Sequence, residues 1–173
     1  MKFAVFFNLA IHVLVSGANQ KSIYIVAGEV SGDTHGACLM EALLTRVPSV
    51  SFHGAGGPAM QAVAGKGIAN WVEEAAVMGI WEVLKHYQWF KKRFDKMLAE
   101  VEELKPDVLI LIDYPGFNLR IAKWAKHKPF KTLYYISPKV WAWKQSRAWK
   151  IKENIDKMFV IFPFEVPFYK NYN

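Results

Sequence analysis

Short apolar runs recur along the chain from residue 22 onward, and each is followed by a turn and an amphipathic stretch. Val108–Ile112 is an unbroken run of five apolar residues. Such a run is typical of a strand buried on both faces of a parallel sheet. The same reasoning predicts further strands at 22–27, 50–53, 131–136 and 158–162.

The stretches between these runs predict helices. Apolar residues there recur at helical spacing, and proline or glycine marks several of the boundaries. Strands that alternate with helices predict an α/β fold with a doubly wound, mostly parallel sheet. The predicted helices are 34–46, 59–64, 75–105, 118–126, 148–155 and 163–169.

Asp113 stands where the apolar run of residues 108–112 ends. Ligands of open α/β sheets bind outside the carboxyl ends of the strands, so this carboxylate is predicted to lie at the expected site. The alternative is that Asp113 caps the next helix or braces the turn, which are common roles of aspartate.

A glycine-bearing turn follows the first predicted strand. Gly28 opens it, and Glu29, Ser31 and Asp33 are interpreted as facing a ligand. The alternative is a helix entry with Asp33 as its cap. The spacing matches neither the dinucleotide fingerprint G-x-G-x-x-G nor the hydrolase elbow G-x-S-x-G. A second glycine cluster, at 54–57, is predicted to be a turn.

Composition narrows the class of partner. The chain has 173 residues, which suits one domain, and its 53% hydrophobic content excludes a disordered chain. The net charge of +7 predicts an anionic partner: a nucleic acid, a phosphorylated substrate or a membrane surface. The five histidines show no metal-ligand spacing, and we predict no metal site.

Aromatic and basic residues are mixed in two places. Trp141 and Trp143 lie among basic residues after a predicted strand, which suggests a site for a phosphorylated or sugar-bearing ligand. Aromatic and basic residues are also mixed in the first part of the predicted helix 75–105, and this mixture suits a membrane-water interface. A helix that is wholly buried in the core is an equally favoured alternative. The apolar members of this mixture are Met78, Ile80, Trp81, Trp89 and Phe90.

The basic region also raises a nucleic-acid hypothesis. Residues 119–152 contain ten lysines and arginines and no acidic residue, and Trp149 adds a further aromatic ring. Such a surface can stack bases and contact phosphates, but the chain contains no known nucleic-acid motif. Nucleic acid is therefore the least favoured partner.

Residues 1–21 differ from the rest. A short apolar run behind Lys2 resembles a signal peptide, but it is too short to predict a membrane span. We interpret the segment as an upstream extension of residues 22–173.

Six motifs occur in order along residues 22–170, and together they resemble the lipid-A-disaccharide synthases. The motifs are AGEVSGDTHG at 27–36, GAGGPAM at 54–60, MGIWEVL at 78–84, PDVLILIDYPGFNLRIA at 106–122, YYISPKVWAWKQSR at 134–147 and FPFE at 162–165.

The resemblance implies an inverting glycosyltransferase built of two Rossmann-like domains. Members of this family join UDP-2,3-diacylglucosamine to 2,3-diacylglucosamine 1-phosphate, with release of UDP, and need no metal or organic cofactor. The family also implies a cytoplasmic protein held peripherally on the inner face of the inner membrane of Gram-negative bacteria, where the membrane surface is anionic.

The resemblance implies site roles as well. Asp113 matches the aspartate expected to act as the catalytic base. Several other residues are candidates for binding substrate. The cations among them are candidates for binding phosphate from their charge alone, and the apolar segment 77–90 offers a surface for the acyl chains. The candidates are Glu29, Ser31, Asp33, Asn118, Arg120, Lys139, Trp141, Trp143, Lys144 and Arg147.

The chain departs from the family pattern in two ways. Gly116 stands where the family usually has a second acidic residue. The chain also ends where the family's nucleotide-sugar domain is expected, so residues 22–173 are interpreted as the acceptor-side domain. We therefore expect no activity unless a separate chain supplies the second domain. The alternative is a non-catalytic module that binds a membrane surface or a lipid.

Overall fold

The computed structural model describes residues 21–73, 87–143 and 145–172, with only the backbone of Tyr87 and Trp143. Six strands form one parallel sheet in the order β3-β2-β1-β4-β5-β6, which confirms the predicted doubly wound α/β fold. The strands are β1 Ser22–Ala27, β2 Ser51–Gly56, β3 Ile68–Asn70, β4 Val108–Ile112, β5 Lys131–Tyr135 and β6 Lys157–Phe159.

Helices connect the strands and cover the sheet. A 3₁₀ turn, Gly65–Gly67, also precedes β3. The described helices are α1 Val30–Arg46, α2 Pro58–Ala64, α3 Tyr87–Leu104, α4 Pro115–Ala125, α5 Val140–Trp143, α6 Arg147–Asn154 and α7 Glu165–Lys170. Among the described residues, none of these helices combines the length and apolar character needed to cross a membrane.

Apolar side chains fill both faces of the sheet. Along β1, Ile23 and Ile25 pack into one core cluster, whereas Tyr24 and Val26 pack into the other. Successive side chains of a strand point to opposite faces, so a strand covered on both sides must be apolar throughout. This requirement explains the unbroken run of β4, whose five residues are all buried.

The sheet reverses its winding direction between β1 and β4. The two strands are hydrogen-bonded neighbours, and Ala27 pairs with Ile112 at their carboxyl ends. The segments after them, Gly28–Glu29 and Asp113–Tyr114, therefore leave the sheet side by side. A crevice at such a switch point is the usual ligand site of open α/β sheets.

Some predicted boundaries are wrong. The predicted turn at 54–57 is largely part of strand β2. Glycine is needed at residue 54 because a Cβ there would be 2.0 Å from the carbonyl oxygen of Ile25 in β1. The short strand β3 was not predicted, and β6 ends before residue 162. Helices α1 and α4 begin three to four residues earlier than predicted.

Candidate functional site

The turn that carries Asp113 has an unusual backbone. Asp113 and Tyr114 have φ angles of 44° and 46°, in the left-handed region that non-glycine residues rarely adopt. The Asn118 side-chain amide donates to the carbonyl oxygens of Ile112 and Asp113, at 3.0 and 2.8 Å. The Tyr134 hydroxyl donates to the same Asp113 carbonyl at 2.6 Å. These buried donors hold a strained turn in place, as is common at functional sites.

Partial burial makes the Asp113 carboxylate more basic. Loss of solvation raises its pKa above the usual aspartate value, although the backbone N–H of Tyr114 and the positive charge of Lys139 oppose the rise. Loss of solvation and the nearby negative charge of Asp113 also raise the pKa of Glu29. Two carboxylates near the switch point thus interact electrostatically, and the pKa of each is raised.

A cleft of about 620 Å³ lies beyond the carboxyl ends of β4 and β5. The Asp113 carboxylate and the exposed cations Lys139 and Arg147 belong to its lining. Ile136, whose φ of 68° bends the chain sharply after β5, is a further lining residue. One cleft therefore offers a carboxylate of raised pKa and two cations, an arrangement that suits a hydroxyl-bearing ligand with a phosphate group.

The cleft is closed on one side by a buried pair of side chains. Ser137 donates its hydroxyl to Oε1 of Glu165 at 2.5 Å, and Oε2 accepts the backbone N–H of Phe162 at 3.1 Å. Glu165 is only 1% exposed. Its carboxylate therefore ties the loop after β5 to the loop after β6.

Comparison with known proteins decides the family. A family model described as "Lipid-A-disaccharide synthetase" matches residues 23–173. Three relatives, each called a lipid-A-disaccharide synthase, come from Trichlorobacter lovleyi, Geobacter metallireducens and Legionella pneumophila. They are 51%, 47% and 46% identical to this chain over 152, 153 and 154 residues. The chain belongs to the lipid-A-disaccharide synthase family.

The match covers most of this chain but less than half of each relative. It spans 87%, 88% and 88% of the chain, against 39%, 40% and 40% of the three relatives. The chain thus spans about two fifths of the length of these synthases. The family predicted from the six motifs is confirmed.

The fold of this synthase-family chain brings some predicted site residues together and separates others. Asp113, Lys139 and Arg147 line one cleft, and Glu29 faces Asp113 electrostatically. Arg120 lies on a different groove, between α3 and α4. Charge alone grouped Arg120 with Lys139 and Arg147 as phosphate-binding candidates. The packing of α4 places Arg120 on a different cavity from these two cations.

The Asp33 carboxylate is committed to the backbone of α2. It is 4% exposed and accepts the N–H groups of Gly57, Ala59 and Met60 at 2.8, 2.9 and 3.0 Å. Asp33 thus caps a helix that begins 25 residues further along the chain, rather than the helix in which it lies. Ser31 is exposed in the first turn of α1.

Other predicted residues support the site from beneath or lie beside it. The Asn118 side chain is 0% exposed and positions the Asp113 turn. Trp141 is half-buried with its ring edge-on to Phe164 at 5.0 Å. Lys144 and the Trp143 side chain lie outside the described parts of the chain.

The predicted membrane or acyl-chain surface is described only in part. Met78, Ile80 and Trp81 lie outside the described residues. Trp89 is half-buried and stacks on the buried Trp71 ring at 6.3 Å. Phe90 meets Trp89 edge-on at 4.9 Å.

Sequence reasoning gave no separate role to Ser137, Glu165 or His35. His35 opposes the rise in the pKa of Asp113 electrostatically, and its ring meets the Tyr135 ring edge-on at 6.2 Å. All three belong to motifs that carry the family resemblance, so their membership of those motifs was the available signal. Their contacts join different elements of the fold and leave no local pattern in the sequence.

Proposed function

We propose that this chain is the acceptor-binding part of an inverting glycosyltransferase of lipid A biosynthesis. The complete enzyme would join UDP-2,3-diacylglucosamine to 2,3-diacylglucosamine 1-phosphate and release UDP. The observation that carries the proposal is the Asp113 carboxylate, which has a raised pKa and shares its cleft with Lys139 and Arg147.

Asp113 is the proposed general base. Its carboxylate takes the proton from the 6-hydroxyl of the acceptor as that oxygen attacks the anomeric carbon of the donor. The bond between the anomeric carbon and the diphosphate breaks, and UDP leaves with the electron pair. A base of raised pKa holds the transferred proton better, and such proton transfer is typically worth about 10²–10⁴-fold in rate.

Lys139 and Arg147 are the proposed phosphate-binding cations. Both are exposed side chains on the cleft that holds Asp113, so they can reach an anionic group of a bound sugar phosphate. Asn118, Ser137 and Glu165 take positioning roles, because they hold the turns that carry Asp113 and Lys139.

We further propose that the protein acts at the cytosolic face of the inner membrane, to which it binds peripherally. The net charge of +7 supports attraction to an anionic lipid surface. The diacylated substrates reside in such a membrane, so the site must open toward it.

The test adds a separate protein segment to this chain. The segment is the part of a related synthase, such as the one from Trichlorobacter lovleyi, that lies beyond the region matched by this chain. Product formation is measured for residues 1–173 with and without this segment, using wild type, Asp113→Asn and the exposed control Glu103→Gln. We expect product only with the added segment, a loss of about 10²–10⁴-fold for Asp113→Asn and no loss for the control.

Two results would contradict the proposal. Full activity of the Asp113→Asn variant would show that Asp113 is not the general base. If residues 1–173 and the added segment demonstrably associate but form no product, the non-catalytic lipid-binding alternative is favoured.

A further inference from the structure

A second groove of about 520 Å³ lies between α3 and α4, and we call it the aromatic groove. Its apolar lining comes from both helices and from the Asp113 turn, so it is built of elements already tied to the site. The apolar lining residues are Phe90, Phe94, Tyr114 and Phe117.

The walls of the aromatic groove are packed against one another and against the core. Phe94 meets Phe117 edge-on at 5.5 Å, and Tyr114 lies 6.1 Å from the same ring. Phe117 is only 7% exposed. Aromatic rings held from behind in this way form a fixed apolar surface that does not collapse when it is empty.

The aromatic groove meets the catalytic cleft at one turn. Pro115 and Leu119, four residues apart on α4, belong to the cleft, whereas Gly116 and Arg120 belong to the groove. Adjacent faces of one helix thus line the two cavities. A ligand whose hydroxyl reaches Asp113 can therefore extend an attached chain into the groove.

The rim of the aromatic groove is mainly basic. Lys91 and Arg120 are exposed there, and Asp95 is the one acidic residue of the described lining. Within the described parts of the chain, neither cation forms a salt bridge. An apolar channel with a basic rim is complementary to an anionic amphiphile, rather than to a neutral lipid or to a purely polar ligand.

Gly116 lines the aromatic groove and adds no side chain to it. It is exposed, and a Cβ built on it would meet no atom within 4 Å. A side chain at this position would project into free space at the groove without straining the fold. A larger side chain can therefore be introduced at this lining position without disturbing the packing behind it.

We propose that the aromatic groove binds one fatty acyl chain of the 2,3-diacylglucosamine 1-phosphate acceptor, with Gly116 leaving room for the chain to enter. This inference rests on the proposed function, and it adds the location of the acyl chain in the structure. The apolar chain leaves water for the rings of Phe90, Phe94 and Phe117, while the sugar remains at Asp113.

The test measures binding of 2,3-diacylglucosamine 1-phosphate analogues of increasing acyl length to residues 1–173, below the micelle concentration of each analogue. Glucosamine 1-phosphate, without acyl chains, is the reference. Wild type should gain affinity about fourfold for each methylene that enters the groove. Gly116→Leu, which adds a large side chain to the groove lining, should lose this dependence, and Gly116→Ala should retain most of it.

A chain-terminal diazirine on the same analogue provides a second measurement. We expect crosslinks to peptides that contain residues 90–94 or 114–120. Crosslinks confined to other peptides, or an unchanged length dependence in Gly116→Leu, would overturn the groove assignment. If binding then still depends on Lys139 and Arg147, the proposed function survives without this inference. If none of the analogues binds, both fail.

Discussion

The ring of Tyr114 occupies the space that a side chain at residue 28 would need. A Cβ built on Gly28 would lie 2.3 Å from the Cδ1 atom of Tyr114. The contact joins the end of β1 to the turn after β4, and so packs the two halves of the crevice together. We expect Gly28→Ala to lower the free energy of unfolding by about 1–3 kcal/mol, as overpacking does.

Urea unfolding measures this effect, and two further variants test its cause. Gly32→Ala is the matched control, because its Cβ would make only ordinary contacts, the nearest at 3.5 Å. Tyr114→Gly removes the ring and suits the left-handed backbone. In the Tyr114→Gly background, Gly28→Ala should lower the free energy of unfolding by less than it does in wild type. Strictly additive losses of unfolding free energy would rule out the clash.

Asp33 should prove to be a structural residue. Its carboxylate accepts three backbone N–H groups at the start of α2, and Asp33→Ala would leave these donors without their partner. We expect a loss of about 1–3 kcal/mol in unfolding free energy, against less than about 0.5 kcal/mol for the exposed control Glu41→Ala. A stable Asp33→Ala variant that no longer binds the acceptor would instead make Asp33 a substrate contact.

The raised pKa of Asp113 predicts a specific pH dependence of stability. The folded protein keeps the proton at pH values where the unfolded chain has lost it, so stability falls as pH rises from the ordinary value of about 3.9 through the folded pKa. Asp113→Asn does not titrate, and asparagine also tolerates the left-handed backbone. The variant should therefore unfold at higher urea concentration than wild type at pH 7.

This stability gap should close as the pH is lowered below the ordinary aspartate value, where both chains carry a neutral side chain. Glu29, Lys139 and His35 face the same carboxylate, so all three are kept unchanged in the comparison. A gap that is absent at pH 7, or one that widens in acid, would show that burial does not dominate at Asp113.

The buried pair of Ser137 and Glu165 should act as one unit. The Glu165 carboxyl group is nearly inaccessible to water, so removing the Ser137 hydroxyl leaves a buried acceptor with one fewer donor. We expect Ser137→Ala to cost about 1.5–3 kcal/mol in unfolding free energy, whereas the exposed control Ser146→Ala should change little. In a double-mutant cycle with Glu165→Gln, independent losses would disprove the coupling.

Local pattern predicted five of the six described strands and the position of Asp113 at the end of one of them. The unbroken apolar run Val108–Ile112 predicted a strand covered on both faces, because burial on both faces demands apolar residues throughout, and all five residues are buried. Asp113 follows that run directly, so its place at the carboxyl end of a strand was predictable. The six motifs likewise determined the family, since their order along the chain needs no coordinates.

Tertiary structure alone decided which of these residues meet. Asp33 finds its partners 24–27 residues further on, and Ser137 finds Glu165 28 residues away, through contacts between different elements of the fold. Lys139 and Arg120 have the same charge in the sequence, but helix packing places them on different cavities. Hydrophobic periodicity reports burial along one element, whereas a site depends on how several elements pack together.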